Sequence, residues 1–318
     1  MKNFFIMMVG IPGSGKSYYA NKYVEENKFD LPTVIISSDD YRKRLFGDEN
    51  DQTHNSVLFN IINSDIRKYL ISGVNVIFDA TNTSLKNRLN TMRNLHGVNC
   101  DKIAWVIATP VDKCIEQDKN RDRSVGVEVI NKFVRSYQFP QKFEGFNRIW
   151  INDYKEEELP IFNYGKQYAL TEMMMSFDQK TPHHKFSLGE HCNKLFQLWF
   201  ELENKWTPHG FISCFHDVGK MFTQSIDENG AGHYYSHDSV GTYFLINNLD
   251  ILAATCWDDI FEELFFVNYH MRAFDLKTEK AQNKYRKIFG EELYNNLMQF
   301  NLFDKMASGT FEEKEKAN

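Results

Sequence analysis

The chain has 318 residues, of which 42% are hydrophobic, 25% charged and 15% aromatic, with a formal net charge of −6. That length suits two domains, each able to bury its own core, and the balance excludes wholesale disorder, collagen-like repeats and a disulfide mini-scaffold. A mean hydropathy of −0.50, with no apolar run near the ~18 residues that cross a bilayer, argues against a membrane span and a membrane partner.

The opening stretch, Met1 to Gly10, imitates a short signal peptide but runs into a glycine-rich loop with no small-residue cleavage site, so it reads as a first β-strand over Phe4–Val9. Five cysteines (Cys100, Cys114, Cys192, Cys214 and Cys256) form no CxxC pair, and their odd number suits reduced thiols in a cytoplasm. Further candidate strands are Thr33–Ser37, Val74–Phe78, Ile103–Ala108 and Arg148–Ile151, separated by amphipathic segments such as Asn55–Ile71 and Leu85–Leu95. That βαβα order predicts an α/β domain with a parallel sheet over residues 1–155. The polar stretch from Asn152 to Ala169 reads as a joint, with 156–175 as the linker. Strand signals fade beyond it, and 176–318 reads as an all-α domain whose tail from Ser308 is polar and frayed.

Composition changes at the same place. Eight of ten histidines lie between His183 and His270, a window where even spreading would put about three. Residues 1–160 carry net +1 and the remainder net −7. Neither half is a basic polyelectrolyte, so wrapping of long nucleic acid is not expected.

Gly10-Ile11-Pro12-Gly13-Ser14-Gly15-Lys16-Ser17 fits GxxxxGK[ST] between a strand and a helix. The glycines let successive N–H groups point at phosphate oxygens, Lys16 is suited to the β/γ-phosphates, and the Ser17 hydroxyl to Mg²⁺. The next strand ends in Ser37-Ser38-Asp39-Asp40-Tyr41-Arg42. In a parallel sheet this end shares a crevice with the loop. Asp39 there suits either a base for an attacking hydroxyl or a helix cap, and Arg42 suits a phosphate. Asp79-Ala80-Thr81-Asn82 ends the third strand at the same rim, as substrate contact or as a turn. Arg121 and Arg123, before a helix from Val127, suit a lid closing over a triphosphate, or a solvated face.

GxPGSGKS, SDDYR, FDATN and NRDR together resemble the kinase domain of phage-type polynucleotide 5′-kinases. The resemblance implies that Asp39 is the general base for a 5′-hydroxyl and that Arg42 contacts the reacting phosphates. It also implies a lid arginine on the donor, with Arg123 first and Arg121 second, and ATP or another NTP with Mg²⁺.

In the second half, His216-Asp217-Val218-Gly219-Lys220 pairs an imidazole with a carboxylate able to bridge divalent ions. His191 lies upstream, and His237, His270 and Asp304 downstream, each in or beside a helical segment. The order H…HD…H…H…D resembles the HD phosphohydrolase superfamily over about residues 176–310. It comes nearest to the HD domain attached to bacterial tRNA nucleotidyltransferases, a likeness carried also by Pro182-His183-His184 and by Gly230 to His237. The resemblance implies one metal on His191, His216, Asp217 and Asp304, and a second site completed by His237 and His270 with Asp217 bridging. On the same resemblance Lys220 is expected to add positive charge toward a substrate phosphate. Mn²⁺, Co²⁺ or Ni²⁺ are the expected ions. The Met173–Met175 run and the stripe Phe196, Trp199, Phe200 read as helix packing.

One half adds phosphate to a hydroxyl and the other removes it, which predicts a bifunctional enzyme acting on RNA or DNA ends. Two other readings use the same motifs. One is a small-molecule or nucleoside kinase fused to a nucleotide phosphohydrolase, and the other is a nucleotide-sensing module with an inert second half.

Overall fold

The fold is that of a computed structural model, which describes residues 2–121, 123–152, 158–181, 185–203 and 207–309. The chain divides into two compact units, Met1–Val134 with Pro140–Lys155, and Arg135–Phe139 with Glu156–Asn318.

The first unit contains strands β1 (Phe4–Val9), β2 (Thr33–Ser37), β3 (Asn75–Asp79), β4 (Asp101–Val106) and β5 (Arg148–Ile151). Its helices are α1 (Lys16–Glu26), α2 (Ser38–Phe46), α3 (Asn55–Ile71), α4 (Leu85–Asn94), α5 (Val111–Lys119) and α6 (Val127–Val134). All strand pairings are parallel, in the order β2-β3-β1-β4-β5. A parallel sheet covered on both faces calls for continuous apolar strands. β1 meets that demand, with Phe5 through Val9 all buried and Ile6 and Met8 packed with Ile77, Ile103 and Trp105. Off the sheet, Arg88 on α4 pairs with Glu144 in two parallel bonds of 2.7 and 2.8 Å, both side chains fully buried.

The second unit contains α7 (Tyr164–Met175), α8 (Leu188–Glu203), α9 (Pro208–Ile212), α10 (Lys220–Thr223), α11 (His237–Ile246), α12 (Trp257–Tyr269), α13 (Arg272–Asp275), α14 (Glu279–Phe289) and α15 (Glu291–Ala307). Three features differ from the sequence expectation. Arg135–Phe139 belongs here, because Tyr137 and Phe139 are fully buried and the Asn268 amide joins both to α12, accepting from Phe139 N–H at 2.9 Å and donating to the Tyr137 carbonyl at 3.0 Å. The stretch expected as linker carries α7, which Asn163 caps and which buries Leu170 and Met174. The unit is mostly helical rather than all-α, since β6 (Ser225–Ile226) and β7 (Gly232–His233) pair antiparallel. Much of the tail expected to fray, 310–318, lies outside the described residues.

α12 is buried almost all round, as the central helix of a unit must be. It nevertheless carries Glu263, fully buried, with neither carboxylate oxygen hydrogen-bonded. Burial pushes this carboxyl well above its ordinary range, and the nearby Asp259 and Glu262 charges add to the shift. The folded state therefore holds a proton that the unfolded chain releases, and stability falls as pH rises above the unfolded carboxyl's ordinary value of about 4.3. Glu263→Gln is expected to melt close to wild type at pH 4 and above it at pH 8, each kcal/mol gained moving the midpoint by about 2–4 °C. A melting difference that stays constant from pH 4 to pH 8 would contradict a protonated Glu263.

Candidate functional site

The C-terminal ends of β1, β2 and β3 share one rim of the sheet, with Ser37 paired beside Asp79. From β1 the chain curls through Gly13 and Gly15, both at positive φ (80° and 88°). A Cβ at Gly13 would overlap the Cys114 carbonyl, so only glycine brings the loop this close to α5. Lys16 folds back over the loop, and its ammonium donates to the Ile11 carbonyl at 2.8 Å and to Ser14 Oγ at 3.4 Å. Burial lowers the Lys16 pKa, while the carboxylates of Asp79 and Asp39 pull it back up. Ser17 Oγ donates to Asp79 Oδ2 at 2.5 Å. That bond ties Asp79 to the loop serine, a hydroxyl type that in P-loop enzymes holds Mg²⁺ together with a carboxylate. Asn82 fits the acceptor poorly: its backbone is left-handed (φ 47°) and its amide donates to the Met8 carbonyl at 2.8 Å, securing the rim.

Asp39 is not the cap of α2. Ser37 takes that place, its Oγ accepting from Asp40 N–H, which leaves the Asp39 carboxylate half-exposed at the rim. Both its oxygens face arginines, Oδ1 toward buried Arg42 at 2.7 Å and Oδ2 toward Arg123 at 3.0 Å. Arg42 also reaches Asn55 at 3.0 Å, and Arg123 reaches Asn50 at 2.7 Å. Arg121 turns instead to Asp118. Sequence reasoning missed Asp118, a buried carboxylate closing α5 that also accepts from Ser124 Oγ (2.6 Å), Val125 N–H (3.0 Å) and Gly126 N–H (3.0 Å). Burial pushes its pKa up, but the bonds from Arg121 and Ser124 outweigh that and hold it well below the usual carboxylate range. Its only sequence signal is an acid shortly before a Ser-Val-Gly turn.

In the second unit His191 lies in the first turn of α8, His216 and Asp217 in the turns before α10, and His237 at the start of α11. His270 directly follows α12, and Asp304 lies in α15. All six are buried and all six come together. Gly219 permits this, since a Cβ there would overlap the His237 carbonyl and hold α11 away from Asp217. Asp217 Oδ1 is 3.1 Å from His237 Nε2 and 3.4 Å from His270 Nε2. Its Oδ2 is 3.2 Å from His216 Nε2, 3.6 Å from His191 Nε2 and 2.7 Å from Lys220 Nζ. Asp304 Oδ1 completes the second side, 3.0 Å from His191 and 3.5 Å from His216.

Nδ1 of His216, His237 and His270 lies 2.8, 2.7 and 2.8 Å from the carbonyls of Ser213, Tyr234 and Val267. A carbonyl only accepts, so each Nδ1 donates its N–H outward and each ring turns its Nε2 toward the carboxylates. His237 and His270 bring their Nε2 atoms to 3.1 Å of each other. His216 Nε2 lies among the carboxylate oxygens with no aligned hydrogen bond. Burial pulls the His216 imidazole down, yet Asp217 overrides it and drives its pKa well up. Burial likewise pushes Asp217 up, and Lys220 and His216 hold it well down. His191, His216 and Asp217, and again Asp217, His237 and His270, offer ligand atoms close enough together to share a divalent ion. His233 stands apart, paired with Asp227 at 3.0 Å and stacked on Tyr235. His183 and His184 lie outside the described residues. Trp199 and Met174 pack in the interior, whereas Phe200, Met173 and Met175 are exposed.

Residues 5–140 match the AAA domain family. The first unit has a P-loop kinase-like fold. No curated protein matches the chain. Among solved structures it is similar to a chain of the Pnkp1/Rnl/Hen1 RNA repair complex, at 23% identity over 42% of this chain and 44% of that one, TM-score 0.38. It is also similar to Chaetomium thermophilum Kti12 in complex with ADP-AlF3, at 15% identity over 48% and 91%, TM-score 0.40. Mycobacterium tuberculosis APS kinase CysC with AMPPNP and APS gives 15% identity over 48% and 91%, TM-score 0.36. The chain spans half or less of the two RNA repair complex chains it matches.

If Asp118 organises the 121–126 segment, the amides of Val125 and Gly126 are protected by its carboxylate. Asp118→Ala is expected to speed hydrogen exchange at both amides while exchange in β1 stays as in wild type. Unchanged exchange at Val125 and Gly126 would contradict that role.

Proposed function

We propose that the chain heals nucleic-acid ends. The first unit transfers the γ-phosphate of ATP or another NTP to a 5′-hydroxyl of RNA or DNA, and the second removes a 3′-phosphate or 2′,3′-cyclic phosphate. The observation that carries this reading is the pairing, in one chain, of a phosphate loop with the Ser17–Asp79 oxygen pair and a buried cluster of four imidazoles about Asp217. Adding and removing phosphate are opposite reactions, and a strand broken to a 5′-hydroxyl and a 3′-phosphate needs both.

In the kinase unit, the loop amides and Lys16 hold the β/γ-phosphates. Mg²⁺ on Ser17 and Asp79 would offset their charge. Asp39 takes the proton of the attacking 5′-hydroxyl as its oxygen bonds to the γ-phosphorus and the bridging oxygen leaves with the nucleoside diphosphate. Arg123 must first release Asp39 Oδ2, and a triphosphate offers its guanidinium a stronger partner than one carboxylate. Arg42, buried and fixed by Asn55, steadies the reacting phosphate.

In the helical unit, His191, His216, Asp217 and Asp304 would hold one divalent ion, and His237, His270 and Asp217 a second. Such ions supply an activated water and neutralise phosphate charge. The chain's own contribution is to fix the ligand tautomers through three backbone carbonyls and to hold Lys220 against Asp217, facing the phosphate.

The test is a labelled NTP incubated with RNA and DNA bearing 5′-hydroxyl and 3′-phosphate ends, scored for phosphate gained and lost. Lys16→Ala and Asp39→Ala are expected to cut 5′ transfer by about 10²–10⁴-fold and leave 3′ removal intact, with His216→Ala and Asp217→Ala doing the reverse. Transfer to free nucleosides but to no strand end, or loss of both reactions in every variant, would contradict the proposal.

A further inference from the structure

Beside the imidazole cluster, the second unit has a cleft of about 320 Å³ whose walls include Asp178, Gln179, Lys180, Thr181, Lys185 and Ser187. That volume lies at the small end of ligand pockets. Its lining residues include two lysines, Lys180 and Lys185, and three hydroxyl side chains, Ser176, Thr181 and Ser187. Asp178, the one acid among the described lining residues, accepts from Lys180 N–H through Oδ1 at 2.9 Å.

The cleft is wired to the cluster. Gln179 is buried, and its Oε1 accepts from Lys220 Nζ at 3.0 Å, while the same ammonium lies 2.7 Å from Asp217 Oδ2. Two short contacts therefore span from the cleft wall to the bridging carboxylate. The wall is also held in shape. Gly232 N–H donates to the Lys180 carbonyl at 2.6 Å, and Gln224 donates to the Asp178 carbonyl at 2.9 Å. A Cβ at Gly232 would press to 2.5 Å on the Gln179 carbonyl. Lys180 itself adopts a left-handed backbone (φ 46°). A lysine rarely takes that conformation, and such strain persists where surrounding contacts impose it.

We propose that this cleft receives the terminal nucleotide of a strand, with Lys180 and Lys185 engaging the phosphodiester on its 5′ side while its 3′-phosphate faces Lys220 and the cluster. This rests on the hydrolytic reading given above and names what that unit recognises: a nucleotide with a second phosphate, rather than any phosphate monoester. Charge-assisted contacts from two ammonium groups give the second phosphate a binding contribution of its own.

The test compares adenosine 3′,5′-bisphosphate with adenosine 3′-monophosphate by titration calorimetry on the full chain, with no divalent ion added so that no turnover occurs. The wild type is expected to bind the bisphosphate about tenfold or more tightly. Lys180→Ala with Lys185→Ala is expected to abolish that preference, and the paired Lys→Arg changes to retain it. Both lysines are exposed, so the variants keep the fold. A wild type with no preference, or a preference that survives the double alanine change, would overturn the proposal. A chain that shows the lysine-dependent preference but releases no phosphate once metal is restored contradicts the hydrolytic reading alone.

Discussion

One buried carboxylate organises the helical unit. Asp217 turns Oδ1 to His237 and His270, and Oδ2 to His216, His191 and Lys220. α8, α11 and α12 each bring a side chain to it, in or next to the helix, and Asp304 of α15 meets two of the same imidazoles, so the packing of the unit and the geometry of the cluster are the same constraint. Four imidazoles with inward-facing nitrogens cannot surround two carboxylates and a lysine without the charges being matched. Protons on the rings or divalent ions between them are the available means.

The kinase-like unit solves a related problem with backbone instead of side chains. Its loop turns through Gly13 and Gly15 at positive φ, and Lys16 curls back against the Ile11 carbonyl. At the same rim Asp39 is held between two arginines. Arg42 is buried and fixed, whereas Arg123 sits on a segment organised by Asp118. The fixed arginine suits the reacting phosphate, and the one on the Asp118-bound segment suits a donor that comes and goes.

Much of the architecture was legible because it is local. β1, β2, β5 and α3 begin and end where apolar periodicity puts them, since burial on both sheet faces leaves a pattern in the residues themselves. β3 and β4 differ by one or two residues at their ends. Arg135–Phe139 was not legible, being five residues whose partners lie in α11 and α12. Nor were Arg88 with Glu144, 56 residues apart, or Lys220 with Gln179, 41 apart. Such pairs leave no periodic trace. At the sites, motif spacing singled out the six histidines and aspartates that converge. It could not tell that Asp79 bonds Ser17, that Asn82 secures the rim, or that Asp118 gathers Arg121, Ser124, Val125 and Gly126, because those assignments depend on direction rather than on residue type.

The account turns on whether Asp217 bridges cations. Crystals equilibrated with Mn²⁺ and measured at its absorption edge test this directly. The expected result is anomalous density within about 2.0–2.3 Å of an Asp217 oxygen and of at least two Nε2 atoms among His191, His216, His237 and His270. An ordered cluster with no anomalous density, or density confined to sites away from Asp217, would contradict it.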